Sequence, residues 1–219
     1  PTDPLPPASV PSRPDVFVVG RQFPVPAIDF TGLSANLAQL KTDAQSGGRY
    51  VSASGAKGYR VVLKTNDTLD LYRVNTLATT SGWCTNWQGE SGWGSWSIST
   101  AGSAQTFIAN YALPTNGILF IEDHVWVQGT LQTARLTIAS AKFPENSSTN
   151  TSITVNNDVL YSTYDGQESL ALIAQKNINV GLNSEDNLQI DAALVAKNGR
   201  VGRYYYASWC GSNYVRNTI

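Results

Sequence analysis

Ile121-Glu-Asp-His-Val-Trp-Val127, Ala174-Gln-Lys-Asn-Ile-Asn-Val180 and Ala196-Lys-Asn-Gly-Arg-Val201 follow one pattern. Each runs from a small or apolar residue through a polar pair or triplet holding a turn-former into a short strand that ends in Val and soon meets Gly. The last two start 22 residues apart and the first starts 53 before the second, with 142–158, rich in Asn, Ser and Thr, reading as an inserted loop. A recurring unit of about 20 residues built from short strands and tight turns suits a β-solenoid, because each rung buries its inward side chains only when its neighbours stack on it. A β-sandwich whose strands share a generic alternation is the alternative. In this alignment the position of His124 is taken by Asn177 in the second copy, which gives the histidine a turn role.

Working outward, the same texture reaches back to Tyr50. Tyr59-Arg-Val-Val-Leu-Lys64 and Thr68-Leu-Asp-Leu-Tyr-Arg-Val74 alternate with the period of two that a half-buried strand requires, and Gly, Asn and Asp separate them. Further strands are predicted at 118–121, 125–128, 134–139, 152–155, 170–174, 177–180, 188–190, 194–196 and 203–207. Nothing after residue 48 keeps helical spacing for the length a helix needs. Ahead of the strands, Leu33, Leu37, Leu40 and Ala44 form one apolar stripe, with Asp29 or Thr31 as cap and Gly47-Gly48 as stop, so an amphipathic helix is predicted over 31–46. Eight of the ten prolines fall in residues 1–26 and impose extended backbone with few donors for a sheet, so this stretch reads as a linker or strap. The remainder, 27–219, is expected to be one mainly β domain, a solenoid capped by the helix and carrying a Trp-rich insertion at 80–99.

The chain has 219 residues, 42% of them hydrophobic and 14% charged, with a formal net charge of -1. That is enough apolar content for a core, and the near-neutral balance without basic runs argues against nucleic acid or an anionic lipid surface as partner. No stretch approaches the roughly 20 apolar residues of a membrane span, so no membrane contact is expected within this chain. A surface kept wet by Ser, Thr, Asn, Gln and Gly rather than by ions fits an extracellular location. The chain starts at Pro1, has no Met, and stops in Asn213-Tyr-Val-Arg-Asn-Thr-Ile219, which reads like the start of a strand, so a fragment of something longer is expected. Cys84 and Cys210 each follow a Trp and are 126 residues apart. In an oxidising compartment they could form a disulfide worth about 4–5 kcal/mol by loop entropy; two buried thiols are the alternative.

Chemistry-bearing motifs are sparse. His124 is the only histidine, which leaves no His-clustered metal site and one base for any triad. No Ser sits in a G-x-S-x-G elbow, and no Gly-rich loop leads into a helix to hold phosphate. Glu122, Asp123, Asp165, Glu168, Glu185, Asp186 and Asp191 could serve a polysaccharide-cleaving β-helix enzyme, yet they are dispersed among turns, where Asp satisfies local donors. Asn183–Asn187 and Asn156–Asp158 offer oxygens to Ca2+ but lack an ordered ligand spacing. No metal site and no cofactor is therefore assigned. Residues 80–99 hold Trp83, Trp87, Trp93 and Trp96 in a Gly- and Ser-rich background. Exposed, these rings could stack on sugar faces as a binding loop; buried, they would cap an open end of the core, and Cys84 favours such anchoring. Asn66, Asn146 and Asn150 lie in N-x-S/T sequons.

Pro26-Ala-Ile-Asp-Phe30, the short Leu33/Leu37/Leu40 helix, Gly55-Ala-Lys-Gly-Tyr-Arg-Val-Val-Leu-Lys64, Leu69-Asp-Leu-Tyr-Arg-Val74, the run Gly117–Gly129 and Leu170-Ala-Leu-Ile-Ala174 together resemble bacterial pilus-associated, minor-pilin-like surface proteins. The resemblance runs from about residue 24 to the end. It implies a β-solenoid ectodomain projecting from a cell surface and an upstream hydrophobic helix that anchors it; His124 stands where such proteins would carry Asn. The expected function is a non-enzymatic structural or assembly domain of a bacterial surface or pilus-like filament, with other filament subunits as partners, joined by strand addition. A carbohydrate-binding adhesin using the Trp-rich loop, with a glycan ligand, and a polysaccharide-active enzyme are the alternatives.

Overall fold

The computed structural model describes residues 37–78 and 96–203. Among the described residues the chain begins with the helix α1 (Leu37–Ser46), which buries Leu37 and Ala44 and half-buries Leu40, three positions of the predicted stripe. It ends where Gly47 and Gly48 N–H both donate to the Asp43 carbonyl, at 3.0 and 3.1 Å. A Cβ on Gly48 would stand 2.6 Å from the Ile118 carbonyl oxygen, so only glycine lets the chain turn this close to the sheet. Residues 31–36 of the predicted helix, its caps and the Pro-rich stretch lie outside the described residues.

Among the described residues thirteen strands follow: β1 (Arg49–Val51), β2 (Gly58–Lys64), β3 (Thr68–Val74), β4 (Gln105–Ala112), β5 (Ile118–Ile121), β6 (Val125–Leu131), β7 (Arg135–Ser140), β8 (Ile153–Thr154), β9 (Val159–Tyr161), β10 (Ser169–Ala174), β11 (Ile178–Val180), β12 (Ala193–Ala196) and β13 (Val201–Arg203). They form two open sheets, so the described chain is mainly β. One sheet has five strands in the order β1-β5-β7-β10-β12, all parallel. The other has eight, in the order β13-β11-β8-β6-β2-β3-β4 with β9 beside β6. It is parallel from β13 to β2 and antiparallel only through β2, β3 and β4.

The core lies between the sheets. Leu119, Ile138, Leu172 and Leu194 stand opposite one another across β5, β7, β10 and β12. Tyr59, Val125, Ile153 and Ile178 do the same across β2, β6, β8 and β11. Both rows belong to one apolar cluster. The alternate residues of the five-stranded sheet, Tyr50, Phe120, Ala139 and Ile173, form a second cluster with α1. Burial on both faces explains why Ile118-Leu-Phe-Ile121 is continuously apolar, as parallel strands covered on both sides are.

Ile121, Ala174 and Ala196 share one register row, as Ser140 pairs with both Ile121 and Ala174 and Ala174 pairs with Ala196. Between the sheets the chain turns, and the residue just before each strand of the larger sheet continues its ladder. Tyr59 N–H donates to the His124 carbonyl, Val125 to Ser152, Ile153 to Asn177 and Ile178 to Arg200, at 2.9 to 3.0 Å. His124 and Asn177 thus hold equivalent places, with Ser152 between them.

The structure departs from the sequence expectations at several places, and β1, β4 and β9 have no counterpart among the predicted strands. Strand β4 was not anticipated, because a bulge between Leu71 and Tyr72 leaves Ile108 without a partner on β3 and breaks the period of two; Phe107 and Ile108 are exposed on this edge strand. Residues 188–190 form no strand: Ile190 makes an isolated bridge to Val159. The last strand begins at Val201 rather than Arg203, and 204–207 lie outside the described residues.

Candidate functional site

His124 is placed by the turn into β6. Its N–H donates to Asp123 Oδ1 at 2.8 Å, and its Nδ1 accepts the Ser152 N–H at 3.1 Å. The pattern repeats across the larger sheet: Ser152 Oγ accepts the Asn177 N–H at 3.3 Å, and Asn177 Oδ1 accepts the Arg200 N–H at 3.0 Å. Each corner side chain meets a backbone donor of the next corner. Burial pushes the His124 pKa down, Asp123 opposes that, and Lys176 and Lys142 reinforce it. A ring whose Nδ1 accepts a backbone hydrogen bond is neutral and serves the ladder.

Of the seven acidic candidates Asp165 lies beside Glu168 with no third carboxylate among the described residues joining them, and Asp186 is exposed. Glu122 takes the Tyr50 hydroxyl at 2.5 Å and pairs with Lys41; burial first, and then this carboxylate, push the Tyr50 pKa up to about 12. Asp123 accepts from Ser54 N–H and Oγ. Asp165 accepts from Gln167. Glu168 accepts from the Thr163 hydroxyl and N–H, at 2.5 and 2.8 Å, and the hydroxyl bond is the main force holding its pKa down to about 2. Asp191 accepts from Tyr161 N–H and the Tyr164 hydroxyl. Glu185 accepts from Asn157 Nδ2 and Asp158 N–H, so in this Asn-rich pair of loops its carboxylate oxygens face donors. Among the described residues no group of three His, Cys, Asp or Glu gathers.

Of the Trp-rich segment, Trp96 to Ser99 are described; Trp83, Trp87 and Trp93, and both Cys84 and Cys210, lie outside the described residues. Leu77 and Ile98 form an antiparallel bridge, and Ala78 N–H donates to the Ser97 carbonyl at 2.8 Å. The Trp96 carbonyl accepts both Trp126 Nε1 at 2.8 Å and Asn156 Nδ2 at 2.7 Å. The ring of Trp96 is half-buried, with its centroid 6.2 Å from that of His124. The end of the segment is therefore anchored on the larger sheet. Among the sequon residues, Asn66 and Asn146 are exposed, whereas Asn150 is 8% exposed and has no room for a glycan.

Beside this anchor opens a pocket of about 600 Å³ that sequence reasoning missed. Arg60 lies across from Trp126 in register, and Gln128 stands two residues further along β6. Arg60 Nε donates to Gln128 Oε1 and Nη1 to Gln105 Oε1, both at 3.0 Å, and its guanidinium lies 5.6 Å from the Tyr72 ring centroid. Ser99, Thr100 and Asn156 complete the polar wall, and none of the described lining residues is Asp or Glu. Burial lowers the Arg60 pKa. In sequence Arg60, Gln105 and Gln128 are ordinary polar positions of three strands, and only strand pairing brings them together.

No family model, curated protein or solved structure matches this chain.

Proposed function

We propose that the chain is a non-enzymatic structural domain of an extracellular bacterial surface filament, of the minor-pilin-like kind its sequence resembles, and that it coils as a β-solenoid. One observation carries this reading. The five-stranded sheet takes β1, β5, β7, β10 and β12 in order, and the larger sheet takes β2, β6, β8, β11 and β13 in the same order. A chain that lays one strand in each sheet per circuit, always in parallel, advances along an axis; the β3–β4 ribbon is then an excursion from the first circuit and β9 a part of the third. Such a stack pairs its backbone rung to rung and gives a stiff spacer. Apart from the neighbours Asp165 and Glu168, which take their hydrogen bonds from Gln167 and Thr163, the acidic candidates sit apart on local donors, and this supports a structural role over hydrolysis.

Assembly follows from the ends. β12 and β13 are the terminal strands of their sheets, and among the described residues no strand covers their outer edges. Such an edge is a template for strand addition by another subunit. Lys197 N–H points to Ala174, so strand alternation turns the Ala196 N–H outward. Ala196→Pro should then leave the fold intact and abolish concentration-dependent association in sedimentation velocity. A chain that stays monomeric at all concentrations, with β12 and β13 amides already protected from exchange, would dismiss assembly by this edge.

A further inference from the structure

We infer that the Arg60 pocket binds a carboxylated sugar, a uronic acid at the end or within a saccharide chain, with the carboxylate on the guanidinium and the hydroxyls on the amide and hydroxyl wall.

Arg60 is the origin of the argument. It is half-buried, and its two hydrogen bonds go to the neutral amide oxygens of Gln128 and Gln105. Among the described residues no carboxylate pairs with it. A guanidinium withdrawn from water without a counter-charge carries a desolvation cost, which its lowered pKa reflects. The two glutamines hold it by Nε and one Nη1 hydrogen, so the fork is fixed in direction while its remaining donors stay available for a planar, bidentate anion.

The rest of the lining chooses the class of anion. A single cation matches a monoanion, whereas a phosphate dianion calls for further positive charge. Ser99 and Thr100 add hydroxyl groups, which suit the alternating donors and acceptors of a sugar ring, and among the described lining residues no carboxylate repels an acid. About 600 Å³ falls within the ordinary range of small-molecule sites. Asn156 is already committed to the Trp96 carbonyl and the Gly181 N–H, at 2.7 Å each, so this part of the wall is rigid before any ligand arrives. The inference does not depend on the filament reading; a free monomer would hold the same pocket.

Cellobiouronic acid and cellobiose differ by one carboxylate in place of one hydroxymethyl group, and titration calorimetry of both on the full chain tests the assignment. Binding of the acid at least tenfold tighter than the neutral sugar is expected. Arg60→Gln should abolish that preference. Gln128→Glu, which leaves Arg60 in place but supplies it with an internal carboxylate, should do the same, so a folding defect in one variant does not leave the result open. Equal binding of the two sugars, no binding of either at millimolar concentration, a preference that survives both variants, or stronger binding of inorganic phosphate than of the uronate would each overturn the assignment.

Discussion

His124→Ala removes an acceptor from the corner ladder, and its cost follows from the geometry. Ser152 N–H sits 3.1 Å from His124 Nδ1, and Ser152 is 2% exposed, so this donor is withdrawn from water in the parent. Leaving a buried donor unmet costs about 1–3 kcal/mol. His124→Asn behaves differently. An asparagine amide oxygen can stand where Nδ1 stood, as Asn177 Oδ1 does when it accepts Arg200 N–H at 3.0 Å, so this variant should stay within about 1 kcal/mol of the parent. Urea unfolding at pH 7.5 separates the two, and exchange of the Ser152 amide should quicken in the alanine variant alone. A second arm uses pH. Burial pushes the His124 pKa below its usual 6.5, so the unfolded chain takes the proton first. The stability this group contributes is therefore complete above about pH 6.5 and declines as pH falls below it. His124→Asn lacks that decline, and the stability difference between parent and variant should shift in favour of the variant from pH 7.5 to 5. Equal stabilities of the alanine and asparagine variants, or parallel pH profiles for parent and His124→Asn, would refute the ladder.

Three further outcomes test other parts of the fold. Gly129 has φ +106°, and a Cβ there would stand 2.2 Å from the Leu63 carbonyl oxygen. Gly129→Ala should accordingly cost about 2 kcal/mol or more and lower the thermal midpoint by roughly 4–8 °C. Ile138 is fully buried in the central register row, so Ile138→Ala should cost about 2–5 kcal/mol in urea titration, and a loss below about 1 would place that row outside the core. The Thr163 hydroxyl is the main force holding Glu168 down to about pKa 2. A depressed carboxylate contributes stability that is present above about pH 4.5 and fades as pH falls toward 2. Thr163→Val should raise the Glu168 pKa in an NMR titration and narrow that window; an unmoved pKa would assign the depression to the backbone donors and Asp165 instead.

Much of the strand inventory was legible because its signals are local. Thr68–Val74 and Ile118–Ile121 appear with the bounds their patterns suggested, since alternation or a short apolar run between turn residues needs no distant information. Strand β4 was illegible for an equally local reason: the bulge at Ile108 puts two large apolar residues side by side on an edge, and no period survives it. Matching His124 to Asn177 was possible because each residue precedes a strand of the larger sheet and accepts a backbone N–H there, so the two positions solve the same hydrogen-bonding problem. The Arg60 pocket had no such signature, since Gln105 lies 45 residues and Gln128 68 residues away along the chain.

What the sequence by itself determined is the mainly β character, the amphipathic helix that precedes the strands and the equivalence of His124 and Asn177, because periods of two and 3.6 and the Gly, Asn and Asp punctuation act over a few residues. What only the tertiary structure decided is which strands become neighbours. Arg49 pairs with Leu119, 70 positions later, because each strand needs a partner that buries the same face, and that choice is made by the whole stack. The pocket is a product of that choice: Arg60 and Trp126 lie side by side only because β2 and β6 do.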